Sequence, residues 1–262
     1  MADTIAVLSL KGGTGKTTTV RTLADVLRRV GLDVLAIDLD PQGNLSDYFD
    51  VPADAAPTIA DVLSGDAKVK AAEHDGIVPA SPILAEVERA MSGRMGRELV
   101  LKKALRDARR QHDVVLIDCP PALGLLTVNG LVAADWALIS SEAQYFALQG
   151  VQGALEVIEQ AKEYYNAGLE FLGVVMNIAD MRTVHSRDAY EQLKEAFAEK
   201  VFDSVIRSSI AYAESAERAT SILDYRPDLG ADYVALADEV LARIGQDAAR
   251  RRLQPLRAEA TS

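Results

Sequence analysis

Cysteine is nearly absent from this sequence: Cys119 stands alone. One thiol excludes a disulfide within the chain and a C-x-x-C cluster scaffold built from a single copy, and it points to a reducing compartment. Long apolar runs are missing as well. No stretch approaches the ~20 residues that a membrane span needs. Met1-Ala2-Asp3 has neither the basic nor the apolar region of a secretion signal, so the expectation is a cytoplasmic protein without a membrane anchor. Positive charge is scarce, with 28 lysines and arginines against 39 aspartates and glutamates for a formal charge of −11. That balance excludes a chain coated in nucleic acid, because phosphate contacts need local positive charge, yet it leaves room for a small basic patch. Internal repeats and low-complexity linkers are also lacking, and 262 residues suffice for one large α/β domain.

What is present is concentrated near the N-terminus. Thr4-Ile5-Ala6-Val7-Leu8-Ser9 reads as a buried strand, and Val20, Leu23, Ala24, Val26, Leu27 and Val30 recur at helical spacing. Between them lies Leu10-Lys11-Gly12-Gly13-Thr14-Gly15-Lys16-Thr17-Thr18-Thr19. A glycine-rich turn from a strand into a helix N-terminus cradles phosphate, because its amides converge on the anion and the helix dipole favours negative charge there. In that cradle Lys16 reaches the β- and γ-phosphates and the Thr17 hydroxyl sits on Mg²⁺. The common form of the motif has glycine where this chain has Leu10, and here a second lysine, Lys11, opens the loop.

Two further acidic positions fit the same chemistry. Asp113-Val114-Val115-Leu116-Ile117-Asp118 is a clear apolar strand that ends in Cys119-Pro120-Pro121. An aspartate closing such a strand holds Mg²⁺ against the phosphates, directly or through a water. Asp38 and Asp40 alternate along an extended segment, so their side chains point to opposite sides and one of them faces a γ-phosphate. Asn177-Ile178-Ala179-Asp180 follows a strand and is similar in spacing to the guanine-reading N-K-x-D, with Ile178 in place of the lysine. On residue chemistry alone, adenine and guanine both stay open.

The chain alternates strands with helices. Strands are expected at 33–38, 76–80, 136–140, 169–176 and 201–206, and helices at 58–63, 95–110, 123–133, 148–165, 187–200 and 232–244. Residues 43–75 read as polar and broken apart from the one short helix. The basic side chains of 94–110 read as a solvated helix face. Such alternation means a single doubly wound, mainly parallel sheet flanked by helices, of the P-loop NTPase type. The loops at Lys11, Asp38, Asp118 and Asn177 then gather at the carboxyl ends of the strands. Residues 1–245 form the expected domain, and 246–262, with Arg250-Arg251-Arg252 and Arg257, a polar helix end or disordered tail.

The sequence K-G-G-x-G-K-[ST] is the deviant Walker A form, and the chain resembles the ParA/MinD family of P-loop ATPases, specifically ParA-type partition ATPases. The resemblance extends through Asp38–Asn44, Ile117–Pro121, Tyr145–Gly150 and Ala179–Thr183. It implies ATP and Mg²⁺ as ligands, with Lys11, Gly12, Gly13, Thr14, Gly15, Lys16, Thr17 and Thr18 on the phosphates and Asn177, Arg207 and Ser208 around the base. It assigns the attacking water to Asp40, which stands beyond the metal's own ligands Thr17 and Asp118. It implies a homodimer with ATP sandwiched between subunits, Lys11 of each reaching the other's nucleotide. Nonspecific DNA binding through Arg182, Arg187 and Arg218, nucleoid association, and a ParB-like or other cargo adaptor that stimulates hydrolysis are further implications. The chain departs from the family around 206–214, where Arg207 replaces a proline and Ser208 and Ala211 replace two arginines.

Other readings compete. A MinD-like positioning ATPase on a membrane or protein surface needs an amphipathic C-terminal helix; residues 246–262 offer Leu253 and Leu256 among arginines and alanines. A metabolic P-loop enzyme or iron–sulfur reductase meets the shortage of cysteine. A binding module without hydrolysis is opposed by the presence of Lys11, Lys16, Asp40 and Asp118.

Overall fold

The computed structural model describes residues 1–144 and 147–256. Along the chain run β1 (Asp3–Leu8), α1 (Lys16–Arg29), β2 (Val34–Asp38), α2 (Asn44–Tyr48), α3 (Ile59–Ser64), α4 (Val69–Ala72), β3 (Ile77–Val78) and α5 (Leu84–Met91). Then come α6 (Val100–Ala104), α7 (Ala108–Gln111), β4 (Val114–Asp118), α8 (Leu125–Ala133), β5 (Trp136–Glu142), α9 (Ala147–Tyr164) and β6 (Glu170–Ala179). The last third holds α10 (Val184–Phe197), β7 (Val201–Arg207), α11 (Ala211–Glu217), α12 (Ile222–Tyr225), α13 (Pro227–Arg243) and α14 (Asp247–Arg252).

The seven strands form one parallel sheet in the order β3-β2-β4-β1-β5-β6-β7. Side chains of successive residues in β1 leave to opposite faces, as the period of two requires. Ile5 and Val7 join α1, α13 and α14 in one apolar layer, and Ala6 and Leu8 join α3 to α10 in the other. Every residue of β2 and β4 is buried, which is why these strands read as unbroken apolar runs rather than alternating ones. From β1 the chain proceeds to one side for β2 and β4, and β5 lies on the other. The loop after β1 therefore opens at the point where strand order reverses.

Several local expectations need correction. The helix expected over 95–110 is broken: Gly96 turns at φ +68°, a 3₁₀ turn occupies Arg97–Leu99, and α6 and α7 are separate short helices. Leu101, Leu105 and Ala108 carry its buried face. Nor are all its basic residues merely solvated, since Lys102 donates to Asn166 and Arg109 pairs with Asp135. Residues 43–75 hold three helices, two of them short segments whose order comes from tertiary contacts rather than propensity. Thr58 caps α3 through a reciprocal pair with Asp61. Beyond residue 245, α14 buries Ala249, and Leu253 is buried behind it; the remainder of that segment from 257 lies outside the described residues.

Gly173 shows how tightly β6 is fitted. The register with β5 shifts there, its φ is +152°, and a Cβ would sit 2.3 Å from the Lys200 carbonyl oxygen and 2.9 Å from the Phe202 ring. A backbone oxygen cannot rotate away as a side-chain tip can. Gly173→Ala is accordingly expected to cost at least about 2 kcal/mol of stability, the range for overpacking plus a strained backbone. A loss below about 0.5 kcal/mol in urea unfolding, no more than the scatter of neutral surface changes, would show that the bulge does not need glycine.

Candidate nucleotide site

The loop after β1 keeps a left-handed backbone at Gly13 and Gly15, both at φ +78°, a region that other residues enter only at a cost. Gly15 is also the N-cap of α1, and a Cβ there would approach Asn177 Cγ at 3.2 Å. The amides of the loop and the first turn of α1 thus face one cavity of about 730 Å³. That volume falls within the usual range for small-molecule and cofactor sites. Lys11, Gly12, Gly13, Thr14, Gly15, Lys16, Thr17 and Thr18 line it, together with Asp40, Tyr48, Tyr212 and Tyr233.

Parallel pairing brings the acidic strand ends together. Val7 of β1 and Asp38 of β2 are both in register with Asp118 of β4. Asp118 is fully buried; its Oδ1 accepts from Lys16 Nζ at 3.0 Å and its Oδ2 from the Thr17 hydroxyl at 2.7 Å. Burial raises the Asp118 carboxyl above the ordinary aspartate range, with Lys16 and Thr17 acting in the opposite sense. Burial also opposes charge on Lys16, but Asp118, by charge and hydrogen bond, holds its pKa above the ordinary lysine value. Cys119, next in the chain, has its thiol pushed up to about 12 by burial.

Asp38 and Asp40 diverge as their alternation requires. Asp38 turns inward, accepting from the Asp40 amide and from the amide and hydroxyl of Ser46. Burial and the neighbouring Asp118 charge raise its pKa to about 7 despite those donors. Asp40 lines the cavity, and its Oδ1 accepts from the Gln42 amide at 3.0 Å. Ser46 could not have been singled out from the sequence, because its role depends on α2 folding back over the end of β2.

Asn177 lines the same cavity. Its side chain is buried beneath the loop, with Nδ2 donating to Thr19 Oγ1 at 3.2 Å and to Ser140 Oγ at 2.6 Å. Asn177 and Thr14 both line the cavity, and Asn177 Oδ1 and Thr14 Oγ1 are buried polar atoms lacking a hydrogen-bond partner. Such atoms fit a polar ligand that supplies the missing bonds. Arg207 reaches the cavity wall but is held by Asp232 at 2.9 Å. Ser208 is exposed and does not line the cavity; Ser209 takes that place, because the Ser208 amide is drawn to the Ala179 carbonyl.

A family model described as an AAA domain matches residues 2–171. The chromosome-partitioning ATPase Soj of Thermus thermophilus is 39% identical over 248 residues, covering 92% of this chain and 96% of that protein. The chain belongs to the ParA/Soj family of partition ATPases. Among solved structures, cobyrinic acid a,c-diamide synthase from Mycobacterium smegmatis, with bound ADP and magnesium, is 35% identical with a TM-score of 0.76, over 83% of this chain and 91% of that one. The septum site-determining protein MinD of Pyrococcus horikoshii, complexed with Mg-ADP, is 26% identical with a TM-score of 0.75, over 93% and 98%.

The residues that the ParA resemblance assigns to DNA fall on separate elements. Arg182 and Arg187 lie where β6 leads into α10. Arg182 forms a two-pronged pair with Asp180, which it holds down to about pKa 2, and Arg187 donates to the Met181 and Arg182 carbonyls. Arg218 ends α11 with its guanidinium 5.3 Å from the Tyr225 ring centre. The Arg250 charge is matched by Asp238. The expected basic surface is therefore partly neutralised within this chain.

A pH dependence follows from Asp38. Its folded pKa of about 7 lies above the ordinary 3.8, so the folded state keeps a proton that the unfolded state releases. Its contribution is then most favourable below about pH 4 and is lost as pH rises through about 7. Between pH 5 and 8 the unfolding free energy of the protein without nucleotide should fall by on the order of 2–3 kcal/mol. Urea midpoints that rise across this interval would contradict the assignment.

Proposed function

We propose that this ParA-family protein binds ATP with Mg²⁺ and hydrolyses it, that ATP joins two copies, and that the paired form holds duplex DNA without sequence preference. In that state it positions a chromosome, a plasmid or a protein assembly on the nucleoid in the cytoplasm, under an adaptor that stimulates hydrolysis. The observation that carries the reading is the buried Asp118 holding Lys16 and Thr17, both of which line a nucleotide-sized cavity. Asp40 and Asp118 together offer two carboxylates to one lysine, an excess of negative charge that suits a divalent cation. Thr17 and Asp118 would hold the Mg²⁺, which when bound neutralises charge on the β- and γ-phosphates. The described residues contain no ready-made group of three or more metal-ligating side chains. Phosphate oxygens and water would complete the coordination, so that metal and nucleotide would bind together.

The chain's own residues then divide the work. Loop amides and Lys16 fix the phosphates, a positioning role that supplies much of the rate in phosphoryl transfer. Asp40, its rotamer set by the Gln42 amide, orients the attacking water and accepts its proton. Lys11 is exposed at the cavity rim. From there it neutralises charge developing on the phosphoryl group of the partner copy's nucleotide, as an arginine finger does. Asn177 Oδ1 and Thr14 Oγ1 supply acceptor and donor to the nucleotide. DNA rather than a membrane is favoured as the surface, because the apolar residues of the C-terminal helical segment, Ala249 and Leu253, pack against the protein's own core.

Separate defects are expected from three substitutions. Lys16→Ala should lose at least tenfold in ATP affinity, because it removes a phosphate contact and strands a buried carboxylate. Lys11→Ala should still bind ATP, yet neither pair nor hydrolyse, whereas Asp40→Ala should bind ATP and accumulate as a dimer. Sedimentation with ATP, run beside a phosphate-release assay, checks all three; normal pairing and turnover by Lys11→Ala would sink the sandwich. Duplex binding by Asp40→Ala should require ATP, be absent with ADP, ignore base sequence and weaken steeply with salt. Mobility shifts on unrelated duplexes at two salt concentrations measure this, and an ATP-bound dimer that shifts neither duplex at low salt would remove DNA from the scheme.

A further inference from the structure

Two glycines lie inside α9, at 150 and 153. Each costs roughly 1 kcal/mol of helix stability against alanine. For Gly153 the reason is steric. A Cβ built there would stand 2.6 Å from Leu10 Cδ1. Leu10 occupies the position where the common phosphate-loop motif has glycine, so the loop has gained a large side chain and the helix has given one up. Leu10 is half-buried and packs on the apolar layer that includes Val151 and Ala154 of α9. Next to it the backbone is tied again: the Ser9 hydroxyl donates to the Lys11 carbonyl at 2.8 Å, and the Ser140 hydroxyl of β5 donates to the Thr14 carbonyl at 2.8 Å.

From these contacts we infer that Leu10 is a positioning residue: seated in the notch at Gly153, it fixes the start of the phosphate loop against α9 and thereby sets the reach of Lys11. The inference rests on the reading of Lys11 as the residue that acts on the transferred phosphoryl group. Physically, the loop has three anchors. Gly15 and Lys16 are built into α1, Thr14 is held from β5, and Leu10 is held from α9. Of these three, the last acts at the end of the loop from which Lys11 projects, where the Ser9 hydroxyl also holds the Lys11 carbonyl. A peptide one residue from an apolar anchor keeps its direction to within the play of that anchor, so losing the contact broadens the range of Lys11 while leaving Lys16 in place. The expected signature is a fall in kcat with little change in ATP affinity, because binding depends on the α1 end of the loop and turnover on both ends.

The test uses four full-length proteins besides the natural one: Leu10→Ala, Gly153→Leu, the double variant, and Lys11→Ala. Leu10→Ala empties the notch, and Gly153→Leu fills it from the helix side. Both should lower kcat at least fivefold while ATP affinity, read by a fluorescent analogue, changes less than twofold. Both should also speed hydrogen exchange of the amides of residues 10–13 relative to those of residues 16–20, a readout independent of turnover. If the two act through one contact, the double variant loses no more than the worse single. Unchanged kcat and unchanged exchange in both single variants would overturn the inference, as would a double variant whose losses multiply. Should Gly153→Leu fail to fold, as its melting curve would reveal, Leu10→Ala decides alone. Lys11→Ala separates the two levels of the argument. If it turns over ATP normally, the reading of Lys11 has failed; if it is inactive while Leu10→Ala is unaffected, only the anchor has.

Discussion

One buried ion pair governs this molecule. Lys16 and Asp118 approach to 3.0 Å at the ends of α1 and β4, and neither is more than slightly exposed. Taking both charges out of water is expensive, and their mutual attraction recovers that cost only with good geometry and further hydrogen bonds. The geometry comes from the parallel pairing of β1 with β4, which sets Val7 beside Asp118 and delivers the loop between β1 and α1 to the same spot. The further bond comes from Thr17. Sheet order, loop conformation and the charge of the site are thus one problem with a common solution: altering any of them leaves a buried charge without its partner.

Around that pair the site is arranged as layers of commitment. Asp38 is wholly engaged by Asp40 and Ser46, so it stiffens the segment that presents Asp40 rather than facing the cavity. Ser46 in turn accepts the Ala80 amide, which joins α2 to the connection after β3. On the other side, Ser140 and Asn177 hold the loop from β5 and β6. The carboxylate that is free to meet a ligand, Asp40, is held by residues that are not.

Much of this was legible beforehand, for a physical reason. The sequence of the phosphate loop is dictated by backbone geometry and by charge, and so are the aspartates at 38, 40 and 118, which sit at strand ends that an apolar run makes visible. The parallel sheet followed from the alternation of runs. What stayed hidden depended on contacts distant in sequence. Ser46, Ser140 and Thr19 are ordinary polar residues until β2, β5 and α1 are set side by side. Asn177 was visible by its place after a strand, but the two hydroxyls that hold its amide nitrogen beneath the loop were not. The break in 95–110 turned on Gly96, whose positive φ ends what the apolar spacing alone would continue. Short helices such as α2 and α4 have too few turns to announce themselves by period.

The isolation of Cys119 bears on how such a protein would fare under oxidants. Oxidation proceeds through the thiolate, and this thiol, one residue from Asp118, is fully buried and holds its proton up to about pH 12. A sulfur beside the phosphate site is thereby kept out of redox chemistry. The chain also contains no second sulfhydryl for it to pair with. Peroxide or disulfide stress would leave this locus chemically silent, and a cysteine introduced anywhere on the surface would be the sole thiol open to modification in the native protein.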